Sequence, residues 1–435
     1  MATLEVRSVW RTYPGERVAL TDASFAVGEG RICAILGPSG SGKTTLLRLI
    51  AGLDRPDAGD VLLDGVSITG HPPHRRGLGL MFQDLALFPN MSVHDNVAFG
   101  LRMVGWPRAE REQRVNDLLE VVGLTSVGRR RIDQLSRAEQ QRVALARTLA
   151  PQPSVLLLDE PFGTMDEVQK SGLRLELRSI LNALETTTVI ASHELNDAVA
   201  MADELVVMNE GRVLQSGATG TVLGEPASVE VAELAGYVTL ALGPVRRGRV
   251  EEAGAGAMAV PGLTETDAAR VMAHPSSLLA VPAESGLGSG VAGLVLRTRA
   301  QGPTWLVDLA VGTRIVETRW EWDLAPPRTG MRLAIAARPG TLRVFITSLA
   351  TLPAPSAPTA PEPPAPAPPG PSSSPPSPDG AATGAPDGIP EEPPASAMPP
   401  GSSSRAMAGP SRSAAPEPPV PVTRREQRHR QMPLS

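Results

Sequence analysis

The chain has 435 residues, 20% of them charged and 41% hydrophobic, with a formal net charge of −5. That length predicts two or three domains, and the negative balance gives no sign of a nucleic-acid partner, which favours a basic face. The single cysteine, Cys33, excludes intramolecular disulfides and Cys-rich metal sites and suits a reducing cytosol.

The N-terminus, MATLEVRSVW, has no basic n-region followed by an apolar h-region, so no secretion signal is read there. No run of about 18 apolar residues follows that could cross a membrane. Short apolar strands then alternate with helical stretches. RICAILG precedes TTLLRLIAG, VLLLDEP precedes EVQKSGLRLELRSILNAL, and TTVIAS precedes HELNDAVAMA. This alternation predicts an α/β fold with a mostly parallel sheet covered on both faces, running to about Gly236. From Tyr237 the pattern changes. GVAGLVLRTRA, TWLVDLAVG, TRIVETRW and MRLAIAAR predict short strands separated by Gly and Pro turns, hence a small all-β unit, a barrel or a sandwich, over residues 237–351. Residues 352–435 hold 25 of the 44 prolines and no Phe, Trp or Tyr. Such a segment buries too little apolar surface to offset chain entropy, so a disordered, Pro-rich tail is expected.

The strongest motif lies between the first of these strands and its helix. GPSGSGKTT, comprising Gly37, Pro38, Ser39, Gly40, Ser41, Gly42, Lys43, Thr44 and Thr45, fits G-x-x-x-x-G-K-[ST] in the strand–loop–helix context the motif requires. Glycines let the loop wrap a phosphate closely, and successive N–H groups and the helix N-terminus point at the anion. Lys43 would supply a cation to the β- and γ-phosphates, the Thr44 hydroxyl a ligand to Mg²⁺, and Thr45 a contact to the α-phosphate. The chain has 41 basic residues but only two lysines, Lys43 and Lys170, so a lysine at the motif position is not a drift of composition. Cys33, near the start of the preceding strand, reads as a small buried core residue. The apolar strand VLLLDE, Val155 to Glu160, ends in two acids, and a buried strand rarely ends so without a cation to hold. Asp159 is expected to bind Mg²⁺ and Glu160 to polarise the attacking water, in a reaction that consists mostly of positioning and charge neutralisation.

With both halves of a nucleotide site in hand, the chain resembles the ATP-binding subunit of an ABC transporter over about residues 4–236. The resemblance implies a P-loop NTPase with a RecA-like core and a helical insert, binding ATP and Mg²⁺. It places Tyr13 against adenine, Gln83 (in GLMFQD) on Mg²⁺ and facing the membrane subunit, and Asp166 (in PFGTMD) in the D-loop. It makes His193 (in VIASHE) the switch histidine, so Lys43, Glu160 and His193 are the expected catalytic residues and Thr44, Gln83 and Asp159 the metal site. LSRAEQQRVALAR matches the family signature, with Ser136 contacting the nucleotide of the other subunit in a head-to-tail dimer. The segment from His74 to Met103 is similar to the importer ATPases that serve iron(III), thiamine, polyamines, sulfate or sugars. Those carry a C-terminal β-domain of the TOBE type, which the stretch ending near Val344 resembles. The implied partners are transmembrane permease subunits, a solute-binding protein and a second ATPase subunit, identical or not. The implied location is the cytoplasmic face of the cell membrane.

The signature departs from the family's LSGGQ: it reads Leu135-Ser136-Arg137-Ala138-Glu139, without either glycine. Two readings stay open. Either the retained Ser136 and backbone N–H groups suffice, or the added side chains hold the helix start off the phosphate, and the chain turns over slowly or works beside an intact partner. A further alternative is a nucleotide-binding protein of this family with weak or no hydrolysis, acting in a heterodimer or in regulation.

Overall fold

A computed structural model describes residues 2–347, apart from 16, 164–166, 253–255, 261–262, 264–265, 286–290, 303 and 321–324. The expectations for Asp166 and for the tail over residues 352–435 lie outside the described residues.

In chain order, β1 (Leu4–Tyr13) and β2 (Arg17–Val27) pair antiparallel, and β3 (Ile32–Leu36) leads into α1 (Lys43–Ala51). Next come β4 (Ala58–Leu63), β5 (Val66–Ser67) and β6 (Leu78–Met81), then the helical insert of α2 (Val93–Met103), α3 (Arg108–Val121) and α4 (Arg137–Leu149). The chain returns through β7 (Val155–Asp159), α5 (Glu167–Ala183), β8 (Thr187–Ser192), α6 (Leu195–Met201), β9 (Glu204–Asn209) and β10 (Arg212–Ala218). Helices α7 (Thr219–Gly224) and α8 (Val229–Leu234) close this part.

The expected parallel sheet is present as six strands in the order β10-β9-β3-β8-β7-β6, with β10 alone antiparallel to its neighbour. Its central strands are buried on both faces because successive side chains point opposite ways. Val155 and Leu157 of β7 join one core with Leu46, Leu47, Leu49 and Ile50 of α1. Leu156 and Leu158 join another with Val97, Leu101, Val143, Leu149, Leu177 and Leu181 from the insert and α5. Cys33 is fully buried in the first of these, as expected, and burial pushes its thiol far above the ordinary range. The structure adds an antiparallel sheet, β2-β1-β4-β5, that the helix–strand alternation did not announce. Val6 and Val9 of β1 and Leu20 and Phe25 of β2 cover the outer side of α1's core.

The remaining strands are β11 (Val238–Arg246), β12 (Arg249–Glu252), β13 (Gly256–Ala259), β14 (Thr266–Ala273), β15 (Leu278–Pro282), β16 (Ala292–Gln301), β17 (Thr304–Val311), β18 (Arg314–Trp320), β19 (Arg332–Ala337) and β20 (Arg343–Thr347). They form a five-stranded sheet, β13-β12-β11-β14-β20, and a closed barrel, β15-β18-β17-β16-β19. One core serves both: Val307, Leu309 and Val311 alternate inward from β17 to meet Val295, Val316, Trp320 and Ile335, and Leu240 and Val271 reach it from the sheet. Arg343 donates from Nε and Nη2 to the Gly224 carbonyl at 2.9 and 2.6 Å, tying β20 to the end of α7.

Candidate functional site

The loop between β3 and α1 forms one wall of a cleft of about 280 Å³ lined by Tyr13, Arg17, Val18, Ala19, Ser39, Gly40, Gly42, Lys43, Thr44, Thr45 and Glu160. Gly42 precedes α1 with φ 102°, a conformation that side chains rarely adopt. A Cβ there would sit 2.6 Å from the Ala19 carbonyl oxygen, so only glycine lets the loop lie on β2. Lys43 is buried, and its Nζ donates to the carbonyls of Gly37 at 2.8 Å and Pro38 at 3.0 Å. Burial lowers the affinity of Lys43 for its proton, while Glu160 and Asp159 push the other way. The Ser41 hydroxyl is buried with no hydrogen-bond partner among the described residues.

Opposite the loop stands the end of β7. Thr44 Oγ1 donates to Asp159 Oδ1 at 3.2 Å. Burial raises Asp159 above the ordinary carboxylate range, against the Thr44 hydrogen bond and Lys43, as expected of a carboxylate short of positive charge. Glu160, the next residue, has φ 45°. That left-handed turn strains a non-glycine residue and lifts its carboxylate out of the strand. Gln83 Nε2 donates to Glu160 Oε2 at 3.1 Å, and His193 Nδ1 lies 3.1 Å from Glu160 Oε1. The structure thus brings together on one carboxylate the ends of β6, β7 and β8, residues separated by 77 and 33 positions in the chain.

Of the expected loop residues, Ser39, Gly40, Gly42, Lys43, Thr44 and Thr45 line the cleft, and Gly37 and Pro38 hold Lys43 through their carbonyls. Tyr13 is half-buried at its edge, its hydroxyl donating to Asp54 at 3.0 Å and its ring 4.9 Å from the Arg11 guanidinium. Ser136 is not among the lining residues: it caps α4. Its Oγ accepts from the Glu139 N–H at 3.3 Å, and the Glu139 carboxylate accepts the Ser136 N–H and hydroxyl at 2.8 Å each. This is a reciprocal capping box. The Ser136 amide and hydroxyl hold Glu139 below the usual carboxylate range.

Sequence reasoning missed several residues that shape the site. Arg17, Val18 and Ala19 of β2 line the cleft beside the loop. Arg147 of α4 donates to the carbonyls of Ala86 at 2.6 Å and Leu85 at 2.7 Å, holding the turn after Gln83 where both residues have positive φ. The run of arginines masks Arg147: nothing local distinguishes it from its neighbours.

The residues fit a nucleotide triphosphate with a divalent cation. The loop offers a buried cation and an unpaired buried hydroxyl, and Thr44 and Asp159 offer two oxygens close together. Among the described residues, no group of three or more His, Cys, Asp or Glu could hold a metal alone, which leaves remaining ligand positions to phosphate and water.

A family model described as ABC transporter matches residues 20–163. The Fe(3+) ions import ATP-binding protein FbpC of Streptomyces coelicolor is 45% identical over 273 residues, 63% of this chain and 78% of that protein. Its namesake in Streptomyces avermitilis is 43% identical over 283 residues, 65% of this chain and 82% of that protein. The sulfate/thiosulfate import ATP-binding protein CysA of Mycolicibacterium paratuberculosis is 44% identical over 244 residues, 56% of this chain and 67% of that protein.

Proposed function

Since this chain belongs to the family of ABC importer ATP-binding proteins, we propose that its cleft at Lys43 binds Mg-ATP and that Glu160 activates the water that attacks the γ-phosphate. The protein is an ATP-hydrolysing importer subunit that works with membrane permease subunits. The observation that carries the site assignment is the clamp on Glu160: a strained carboxylate held from one side by Gln83 and from the other by His193, facing Lys43 across the cleft.

In this reading the loop N–H groups and Lys43 receive the phosphates, and Tyr13 carries the base. Thr44 and Asp159, with Gln83 nearby, hold Mg²⁺, which when bound neutralises phosphate charge. Glu160 accepts the water's proton, and Gln83 and His193 fix the direction of its oxygens. Each cleft is completed by the Ser136 end of α4 from a second subunit, in a head-to-tail dimer. Phe82, beside Gln83, and Met103 and Val104, at the end of α2, keep exposed apolar side chains suited to a permease loop. No helix among the described residues is long and apolar enough to cross a membrane; the relatives' role as import ATP-binding proteins supports a peripheral subunit, which we place on the cytoplasmic face.

We assign residues 1–236 to the ATPase and 237–351 to a TOBE-like β domain, a division supported by the turn between α8 and β11 and by the separate core of the later strands. The named cargoes of the relatives, Fe(3+) and sulfate/thiosulfate, differ at nearly equal identity to this chain. That fits an ATPase whose cargo is chosen by other subunits, a solute-binding protein among them.

Glu160→Gln keeps the shape of the clamp but removes the proton acceptor. The variant is expected to bind ATP with wild-type affinity by titration calorimetry and to lose about 100-fold or more in turnover, within the range assigned to general-base catalysis. Lys43→Ala is expected to lose binding itself. A Glu160→Gln variant that hydrolyses at the wild-type rate would move the base elsewhere.

A further inference from the structure

Outside the cleft, a cluster of charged side chains lying against the site joins α5 to α6. Lys170, one of only two lysines in the chain, is buried there with Arg174. Lys170 Nζ pairs with Glu194 Oε1, and Arg174 Nη2 lies 3.1 Å from Glu194 Oε2. Arg174 also bonds Asp197 Oδ1 through Nε at 2.6 Å and Glu167 through Nη1 at 2.7 Å. Of these pairs only Arg174–Asp197 is buried on both sides, and a pair so desolvated contributes little net stability against apolar replacements.

The cluster matters through what it grips. His193 sits between Ser192 and Glu194, and both neighbours end on this network. The Ser192 hydroxyl donates to Asp197 Oδ2 at 2.5 Å and accepts from the Glu194 N–H at 3.0 Å. The Arg174 guanidinium also stacks over the ring of Phe162 at 5.8 Å, two residues beyond Glu160. One arginine therefore meets side chains from the segments that carry both Glu160 and His193. Glu194 Oε1 lies 4.0 Å from His193 Nε2, while His193 Nδ1 lies 3.1 Å from Glu160. The imidazole stands between two carboxylates, and Lys170 is the cation that occupies one of them.

Resting on the reading that His193 and Glu160 act on the γ-phosphate, we infer that Lys170 and Arg174 are positioning residues: by engaging Glu194 they keep the His193 ring on Glu160. Without the Lys170 charge, Glu194 Oε1 faces His193 Nε2 at 4.0 Å with no ammonium beside it, and with Nε2 protonated it draws the ring away from Glu160.

The test compares Lys170→Met, which keeps the stem, with Lys170→Arg, which keeps the charge. In Lys170→Met, kcat is expected to fall about 10–100-fold, the cost of misplacing a catalytic group by about an ångström. ATP affinity, set by the loop at Lys43, stays within about twofold, and Lys170→Arg restores most of kcat. A spectroscopic readout runs beside the kinetics. The chain has six histidines, so the His193 Cε1–H signal can be assigned in a proton–carbon correlation spectrum by loss in His193→Gln. That signal is expected to move in Lys170→Met and to stay in Lys170→Arg. Glu194→Gln probes the same link from the other side and serves if Lys170→Met does not fold. Equal losses in Lys170→Met and Lys170→Arg, a parallel loss of ATP affinity, or an unmoved His193 signal would each overturn the inference. A wild-type protein that does not turn over ATP would overturn the reading of the site, while the His193 signal would still decide the positioning claim.

Discussion

Two glycines of the phosphate loop look alike in sequence and differ sharply in their surroundings, and replacing each by alanine separates stability from binding. Gly40 has φ +84° and nothing within 4 Å of a built Cβ. Gly42 has φ +102°, with the Ala19 carbonyl oxygen 2.6 Å and Leu20 Cδ2 2.9 Å from a built Cβ. Both substitutions incur left-handed strain of about 1–2 kcal/mol. Gly42→Ala adds an overlap with backbone that cannot rotate away, and forcing atoms into a filled space costs about 1–3 kcal/mol more. The expected loss is thus roughly 1–2 kcal/mol for Gly40→Ala and roughly 2–5 kcal/mol for Gly42→Ala. Urea unfolding of nucleotide-free protein reads both, as a shift in midpoint at constant slope. Because Gly40 lines the exposed face of the cleft, its methyl is expected to weaken ATP binding about tenfold by calorimetry, about 1.4 kcal/mol, without further loss of fold. Equal destabilisation of the two variants, or a Gly42→Ala midpoint at the wild-type value, would refute the steric reasoning.

Two other expectations follow from the signature and from the β-rich part. Arg137 and Ala138 occupy the first turn of α4, after the Ser136 cap; restoring both glycines removes the side chains nearest that helix start. If these hold the cap off the partner's nucleotide, Arg137→Gly with Ala138→Gly is expected to raise the ATPase rate of purified protein by at least about tenfold, with the roughly 10²–10³ that one preorganised donor contributes as the ceiling. A level or lower rate in a steady-state phosphate-release assay would show that Ser136 already serves. In the β-rich part, burial holds His274 below its ordinary value of 6.5, with Nδ1 2.7 Å from Ser276 Oγ and the ring edge-on to Tyr237 at 5.7 Å. The folded chain therefore favours the neutral ring. Its contribution is complete above pH 6.5 and is lost as pH falls from there toward the lowered folded value. Melting temperature against pH is expected to flatten below 6.5 in His274→Gln relative to wild type; parallel curves would refute the assignment.

Some of this protein was decided by residues close together in the chain. The apolar run ending at Leu36, the glycines, Lys43 and the helix after them form one contiguous unit, so strand, loop and helix N-terminus could all be read in order. Val155–Asp159 announced itself equally well, since five apolar and acidic residues in that order suit only a doubly buried strand with its charge at the exit. The β character beyond Tyr237 showed in short apolar runs set between Gly and Pro turns, such as TWLVDLAVG around β17.

Other features exist only after distant segments meet. The sheet of β1 with β4 depends on pairing Leu4 with Leu63, and the barrel closes by a single parallel contact of Leu279 with Arg319. No local period encodes such partners, because closure entropy and packing of the whole decide between registers. The site shows the same division. Gln83, Glu160 and His193 could be proposed one at a time from motifs, but the clamp between them and the left-handed turn at Glu160 required three strand ends to lie side by side. Lys170 and Arg174 carry no local mark beyond helical spacing. Their charges acquire a role only because α5 packs on α6 and excludes water from between them, and a charge out of water is compelled to find whichever carboxylate the fold has brought within reach.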